Sequence, residues 1–184
     1  MLRSPQNTKQ YAGCALIIIG FIAGIVGFVG FSVEGEVNDI PPPHVPDYSF
    51  FSEEPLPSSL SNMFITSNLK MTWTNEDIYV VIVDEQEKSS CPVEEAAMQS
   101  LSPAGPCSSK DQDIIAGGAG YNGEEGFSWQ VEPGEHYVGL GSKFSGLDSN
   151  ENVDLHYDVH LRGSFAFYFI VFIFIVSGGV MWWD

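Results

Sequence analysis

The stretch VDLHYDVHLRGSFAFYFIVFIFIVSGGVMWW, residues 153–183, decides the fold. Val153, Leu155, Tyr157, Val159 and Leu161 alternate with Asp154, His156, Asp158 and His160. That period of two is the signature of an extended strand, whose successive side chains leave opposite faces. After Arg162 and Gly163, residues 164–183 run for twenty positions without a charge. At about 1.5 Å of rise per helical residue this run crosses a hydrocarbon core of about 30 Å. The expectation is a water-facing β domain joined to a transmembrane helix with almost no slack.

A second apolar run lies near the N-terminus. Residues 11–32 carry no charge, and the first acid is Glu34. The run is longer than the apolar core of a cleaved leader, and GFVGFSVEGEV (27–37) offers no convincing cleavage site. Tyr11-Ala-Gly-Cys14 has the flavour of a lipoprotein signal, but there the cysteine follows the apolar core, whereas here most of the core follows Cys14. An uncleaved signal anchor is expected, with 1–10 as a short cytoplasmic N-terminus. Arg3 and Lys9 precede this helix, and Glu34, Glu36 and Asp39 follow it. The positive-inside rule then puts both chain ends in the cytoplasm and 33–163 outside the cell membrane. Trp182 and Trp183 suit the membrane interface, and so little chain is expected in the cytoplasm that no signalling domain fits there.

The acids are concentrated in the middle. Residues 33–163 hold 23 Asp and Glu against Lys70, Lys88, Lys110, Lys143 and Arg162, and the whole chain carries a net charge of −17. Such a surface repels phosphates and disfavours nucleic acid as a partner, while it is compatible with divalent cations, a basic partner or an acidic proteome adapted to salt.

Within the first helix Gly13, Gly20, Gly24 and Gly27 recur at helical spacing, leaving a groove for close approach of a second backbone or of bulky knobs. The second helix offers Phe165, Phe167, Phe169, Phe172 and Phe174. The expectation is that the glycine face packs on the phenylalanine-rich helix, within one chain or between copies as a homo-oligomer. Neither span contains an acid, a base or a histidine, so an ion path through the pair is not expected.

Residues 33–62, with Pro41-Pro42-Pro43, Pro46, Pro55 and Pro57, read as a proline-rich stalk. The folded domain is expected over 63–163, with an irregular insert at 84–125. Leu69, Met71 and Trp73 alternate with Lys70 and Thr72, and Ile78–Val83 is a continuous apolar strand after the turn Thr74–Asp77. Phe127, Trp129 and Val131 alternate with Ser128 and Gln130, and Pro133-Gly134 sits where a type II turn needs it before His136–Leu140. Strands joined by hairpins, with no long helix between them, predict an antiparallel jelly-roll-like β-sandwich between two transmembrane α-helices. Cys91 and Cys107 lie in the insert on the oxidising side and are expected to pair, whereas Cys14 lies in the first span and is expected to stay free. A short helix is expected from Pro92 to Leu101, and the glycine-rich run 111–126 is expected to move.

The segments LKMTWTNEDIYVVIVD (69–84) and FSWQVEPGEHYVGL (127–140) resemble the extracellular β-sandwich modules of the pre-peptidase C-terminal kind, and the second hairpin and final strand also resemble GOLD-type lumenal domains. That resemblance, over about half of the ectodomain, implies a binding or structural role rather than catalysis. The chain departs from GOLD-containing cargo receptors in lacking a coiled coil before the last helix and a basic tail.

Candidate chemistry is sparse. No nucleophile elbow, phosphate loop or zinc-protease helix is present, and an enzyme is not expected. Asp148, Asn150, Asn152 and Asp154 imitate a calcium loop, but Val153 stands where that loop needs glycine. The sharpest metal candidate is the Asp154, His156, Asp158 and His160 face, whose carboxylates and imidazoles suit Zn²⁺ or Cu²⁺. Same-face neighbours on a strand are about 6.5–7 Å apart, so His156 could share an ion with an adjacent acid but not with His160 unaided. The leading expectation is an interaction module, an accessory subunit or surface protein that binds a protein partner. A metal- or ligand-binding module is the alternative.

Overall fold

The computed structural model describes residues 5–43, 48–57, 63–91, 107, 113–143 and 152–183. Among them lie helices α1 (Pro5–Val29), α2 (Glu85–Ser90) and α3 (Phe165–Trp183). The strands are β1 (Phe31–Ile40), β2 (Ser49–Phe51), β3 (Ile65–Trp73), β4 (Ile78–Asp84), β5 (Ala116–Gly117), β6 (Phe127–Val131), β7 (His136–Ser142) and β8 (Val153–Gly163). They form two four-stranded sheets, ordered β1-β8-β3-β6 and β2-β7-β4-β5. The domain is a mainly antiparallel β-sandwich with apolar helices at its N- and C-terminal ends. The chain divides into two compact units, one holding α1, α3 and the chain ends of the strands that adjoin them, the other holding the sandwich.

The sandwich core grows from β4. Ile78 to Val83 are all fully buried, so neither face of this strand meets water. Tyr79, Val81 and Val83 pack with Tyr137, Phe51 and Ile114. β7 lies along β4 with Tyr79 opposite Gly141 and Val81 opposite Gly139, and β2 follows on the other side of β7 with Phe50 opposite Leu140. Across the turn from β4, the Trp73 indole N–H donates to the Ile78 carbonyl at 2.9 Å, which satisfies the one polar atom of a buried ring.

The structure corrects three expectations. The stretch 33–62 is not simply a spacer, because β1 adds to the edge of one sheet and β2 to the edge of the other. Tyr48 is buried with Cys91 and Cys107 and Phe51 packs against them, so these two aromatic residues serve as core, whereas Phe50 is exposed. The two tight turns do not make hairpins. Thr74–Asp77 carries the chain from β3 in one sheet to β4 in the other, and Glu132–Glu135 does the same from β6 to β7. The face of β4 that carries Tyr79, Val81 and Val83 is covered by Tyr137 of β7, Phe51 of β2 and Ile114. Finally, the glycine-rich run is held: β5 pairs with β4, Gly118 N–H donates to Val80 O at 2.8 Å, and Trp73 N–H donates to Gly123 O at 2.9 Å. The expected helix from Pro92 to Leu101 and the turn residues Asp148 and Asn150 lie outside the described residues.

The Cys91–Cys107 disulfide is formed as expected, and the Cys107 carbonyl accepts from Ser49 N–H beside β2. Asp84 caps α2 by accepting from Glu87 N–H at 2.8 Å. Burial raises the Glu87 carboxyl above its ordinary value. A hydrogen bond from the Asp113 backbone opposes that rise, and the negative charges of Asp113 and Asp84 add to it.

In the other unit, α1 and α3 pack against each other antiparallel, since Gly13 faces Gly178 and Trp182 while Gly27 faces Phe167. α1 ends at Gly30, whose φ of 71° is a left-handed cap, with its N–H donating to Val26 O at 2.9 Å.

Candidate binding site

The outward residues of β8 are arranged by its place between β1 and β3. Val153, Leu155 and Val159 are buried, whereas His156 is exposed and Asp154 and Asp158 are partly so. The alternation read from the sequence therefore gives one core face and one polar face.

Within the sandwich unit the three outward residues have different surroundings. Asp154 is engaged at the end of β1: its Oδ1 accepts from Asp39 N–H at 3.0 Å, and its own N–H donates to Thr74 Oγ1 at 3.0 Å. Asp39 there has a φ of 61°, a conformation that side-chain hydrogen bonding makes accessible to aspartate. His156 Nδ1 lies 3.6 Å from Glu36 Oε2, with the two side chains 50 and 59% exposed. Asp158 has one carboxylate oxygen, Oδ1, shielded from solvent without a hydrogen-bond partner. Together with Glu34, Gly35, Glu36, Lys70, Thr72 and Tyr157, His156 and Asp158 line an open depression of about 510 Å³ on the sheet.

His160 belongs to the helix unit and is already occupied there. Arg162 Nε donates to His160 Nε2 at 2.9 Å, so that nitrogen is an acceptor. The other, Nδ1, then carries the proton and donates to Ser32 Oγ at 3.0 Å. The four candidate metal residues are not brought into one ligand set. Among the described residues no three His, Cys, Asp or Glu side chains are placed to hold a metal ion.

The glycine positions of α1 meet α3 as follows. A Cβ on Gly13 would stand 2.6 Å from Gly178 O, one on Gly20 would stand 2.9 Å from Ile175, and one on Gly24 would stand 3.5 Å from Val171. One on Gly27 would overlap the Phe167 ring. Of the five phenylalanines expected as knobs, Phe167 alone fills a glycine gap. Phe165, Phe169, Phe172 and Phe174 point outward and are 87, 57, 62 and 41% exposed. The close approach at Gly13 needs a small partner, and Gly178 provides it where phenylalanine would not fit.

Reasoning from the sequence missed Glu34, Glu36, Lys70 and Thr72 as parts of the polar face. The signal was present, since Val33, Glu34, Gly35, Glu36 and Val37 keep a period of two. The proline run that follows directed the reading towards a spacer.

Fold and site thus define an acidic β-sandwich with an exposed polar sheet face, carried between two apolar helices. No protein-family model and no curated protein sequence matches the chain. Among solved structures the chain is similar to one described as the structure of tomato aspermy virus, with a TM-score of 0.41 and 14% identity over 71% of this chain and 77% of that one. It is also similar to the periplasmic g-type lysozyme inhibitor PliG of Aeromonas hydrophila, at 0.28 and 10% over 72% and 86%. A third likeness is to the empty capsid of Triatoma virus, at 0.32 and 9% over 77% and 91%. At these scores none transfers a role to this chain.

Proposed function

We propose that the chain is a two-pass membrane protein that displays one acidic jelly-roll domain outside the cell as a non-enzymatic interaction module, an accessory subunit or surface protein binding a protein partner. The observation that carries the membrane part is the outward surface of the helix pair. Spans of 22 and 19 residues are long enough to cross a bilayer. Ile18, Phe21, Ile22, Ile25 and Phe28 on α1, with Phe169, Phe172 and Val180 on α3, are apolar and largely exposed although the glycine faces are packed. A surface of this size left in water would aggregate, whereas lipid covers it without cost. Arg3 and Lys9 before α1 favour the orientation with both ends inside. The disulfide fits an oxidising compartment. The strand order 1-8-3-6 and 2-7-4-5 is that of a jelly roll, a scaffold that recurs in lectin and capsid domains. The resemblance to pre-peptidase and GOLD-type modules supports binding in the same direction.

A second reading, a Zn²⁺- or Cu²⁺-binding module at His156 and Asp158 assisted by Glu36, draws on the imidazole–carboxylate pair at 3.6 Å. Calorimetric titration of the full chain in detergent with either ion, with His156→Ala as control, decides it. For the leading reading the test is gentle solubilisation of native membranes followed by size separation. Co-migration with a larger complex is expected, and a chain that runs alone contradicts it. Membrane-impermeant maleimide should label a cysteine placed at Glu132 in intact cells and leave one placed at Ser4 unlabelled.

A further inference from the structure

β1 differs from every other long strand of the sandwich in being the outermost member of its sheet and in being exposed on both sides. Of its ten residues only Gly35 and Ile40 are even partly covered. An edge of this kind presents a row of unpaired N–H and C=O groups to which another strand can add. Proteins blunt such an edge with charged side chains, proline or a bulge; the charges on FSVEGEVNDI are all acidic, Glu34, Glu36 and Asp39, so they deter an acidic strand and leave the edge open to a basic one. The two faces of β1 also have distinct chemistry. On one side Val33 and Val37 are 48 and 47% exposed, and between them the Tyr157 ring lies over Gly35, its hydroxyl in the space a Cβ there would occupy. Glycine at 35 is what lets that aromatic ring reach across the edge strand. On the other side Glu34 and Glu36 border the depression that contains His156 and Asp158.

From this we infer that the β1 edge, residues 33–38, is a docking site for an extended segment of a partner protein in which basic and apolar residues alternate. Its apolar side chains would cover Val33, Tyr157 and Val37, its Lys or Arg side chains would meet Glu34 and Glu36, and its backbone would continue the sheet. A second copy of this chain is disfavoured as the occupant. Antiparallel pairing centred on Gly35 sets Glu34 of one copy against Glu36 of the other, and in-register parallel pairing sets each acid beside itself; like charges directly opposite destabilise a strand pair. The inference rests on the interaction-module reading above and specifies its surface.

The test uses the full chain in lipid nanodiscs and synthetic nine-residue peptides. One alternates Lys and Val, one has the same composition in two blocks, and one alternates Glu and Val. The alternating Lys/Val peptide should bind, with the block peptide weaker by about tenfold, since only alternation satisfies both faces at once. Glu34→Lys with Glu36→Lys should weaken the Lys/Val peptide by about tenfold or more and recruit the Glu/Val peptide. Glu132→Lys with Glu135→Lys makes the same change of net charge on a remote exposed turn and should leave binding within about twofold. On the unaltered protein, N-methylation of the peptide amides on one edge should abolish binding and on the other edge should not, which holds whether or not the charge variants fold. Equal loss in both double variants, equal binding of the block peptide, or indifference to methylation would overturn the assignment. A native complex that survives the Glu34/Glu36 reversal removes the β1 site alone, whereas a wild-type chain that migrates alone removes the broader reading.

Discussion

β4 and β1 are both extended strands of one sandwich, and they are held by opposite means. β4 has six consecutive residues without solvent contact, Ile78 to Val83, and is fixed by apolar cover on two faces. β1 has almost none, and is fixed by pairing with β8 and by the polar knot of Asp39, Asn152 and Asp154 at its end. The hydrophobic effect accounts for the first strand; the second stands on backbone hydrogen bonds and a few side-chain ones. The difference separates the part of the sandwich that stabilises it from the part whose surface stays open to solvent.

That contrast can be broken first at β4. Ile82→Ala should destabilise the domain by about 2–5 kcal/mol, because a buried aliphatic side chain is lost and the cavity cannot fully collapse. Chemical denaturation followed by tryptophan fluorescence measures it, and a loss below about 1 kcal/mol would mean β4 is not the core. Next comes the covalent tie beside β2: replacing Cys91 and Cys107 together by serine should cost about 3 kcal/mol, from the loop-closure entropy of a 16-residue separation. Glu87→Gln should have a smaller effect of opposite sign. A carboxyl whose folded pKa is raised contributes stability that is complete below its unfolded pKa and lost as pH rises through the folded one. The glutamine variant should therefore be more stable than the parent at neutral pH by a few tenths of a kcal/mol, about the size of ordinary surface effects, with the advantage vanishing in acid. Smallest of all, Val37→Ala on β1 should change stability by less than about 0.5 kcal/mol, the range of exposed substitutions. A loss comparable to that at Ile82 would erase the distinction between the two strands.

The same two strands explain what the sequence made legible. β4 announces itself as a β-branched run between turn residues, and the Val153–Leu161 alternation followed by an uncharged run left only one reading for β8 and α3. β1 kept the same period of two, but its outward glutamates, its central Gly35 and the following prolines together resemble a solvated spacer. Strand pairing that stabilises without burial leaves no hydrophobic pattern to read. The turns at Thr74–Asp77 and Glu132–Glu135 were placed correctly, but turn residues specify a reversal of the chain and not which sheet the next strand joins. That choice depends on packing between residues distant in sequence, here Tyr79, Val81 and Val83 of β4 with Phe51, Ile114 and Tyr137. The polar face was half visible for the same reason: β8 showed Asp154, His156 and Asp158, while Glu34 and Glu36 reach it only through a pairing between residues more than a hundred positions apart.

The most direct test is amide hydrogen exchange on the full chain in lipid nanodiscs, with and without the alternating Lys/Val peptide. In the free protein, fast exchange is expected at those amides of 33–38 that point away from β8, with marked slowing at the same amides when the peptide is added, and slow exchange across 78–83 in both states. Protection of those amides that does not change with peptide, while the peptide demonstrably binds elsewhere, would contradict the assignment of the β1 edge.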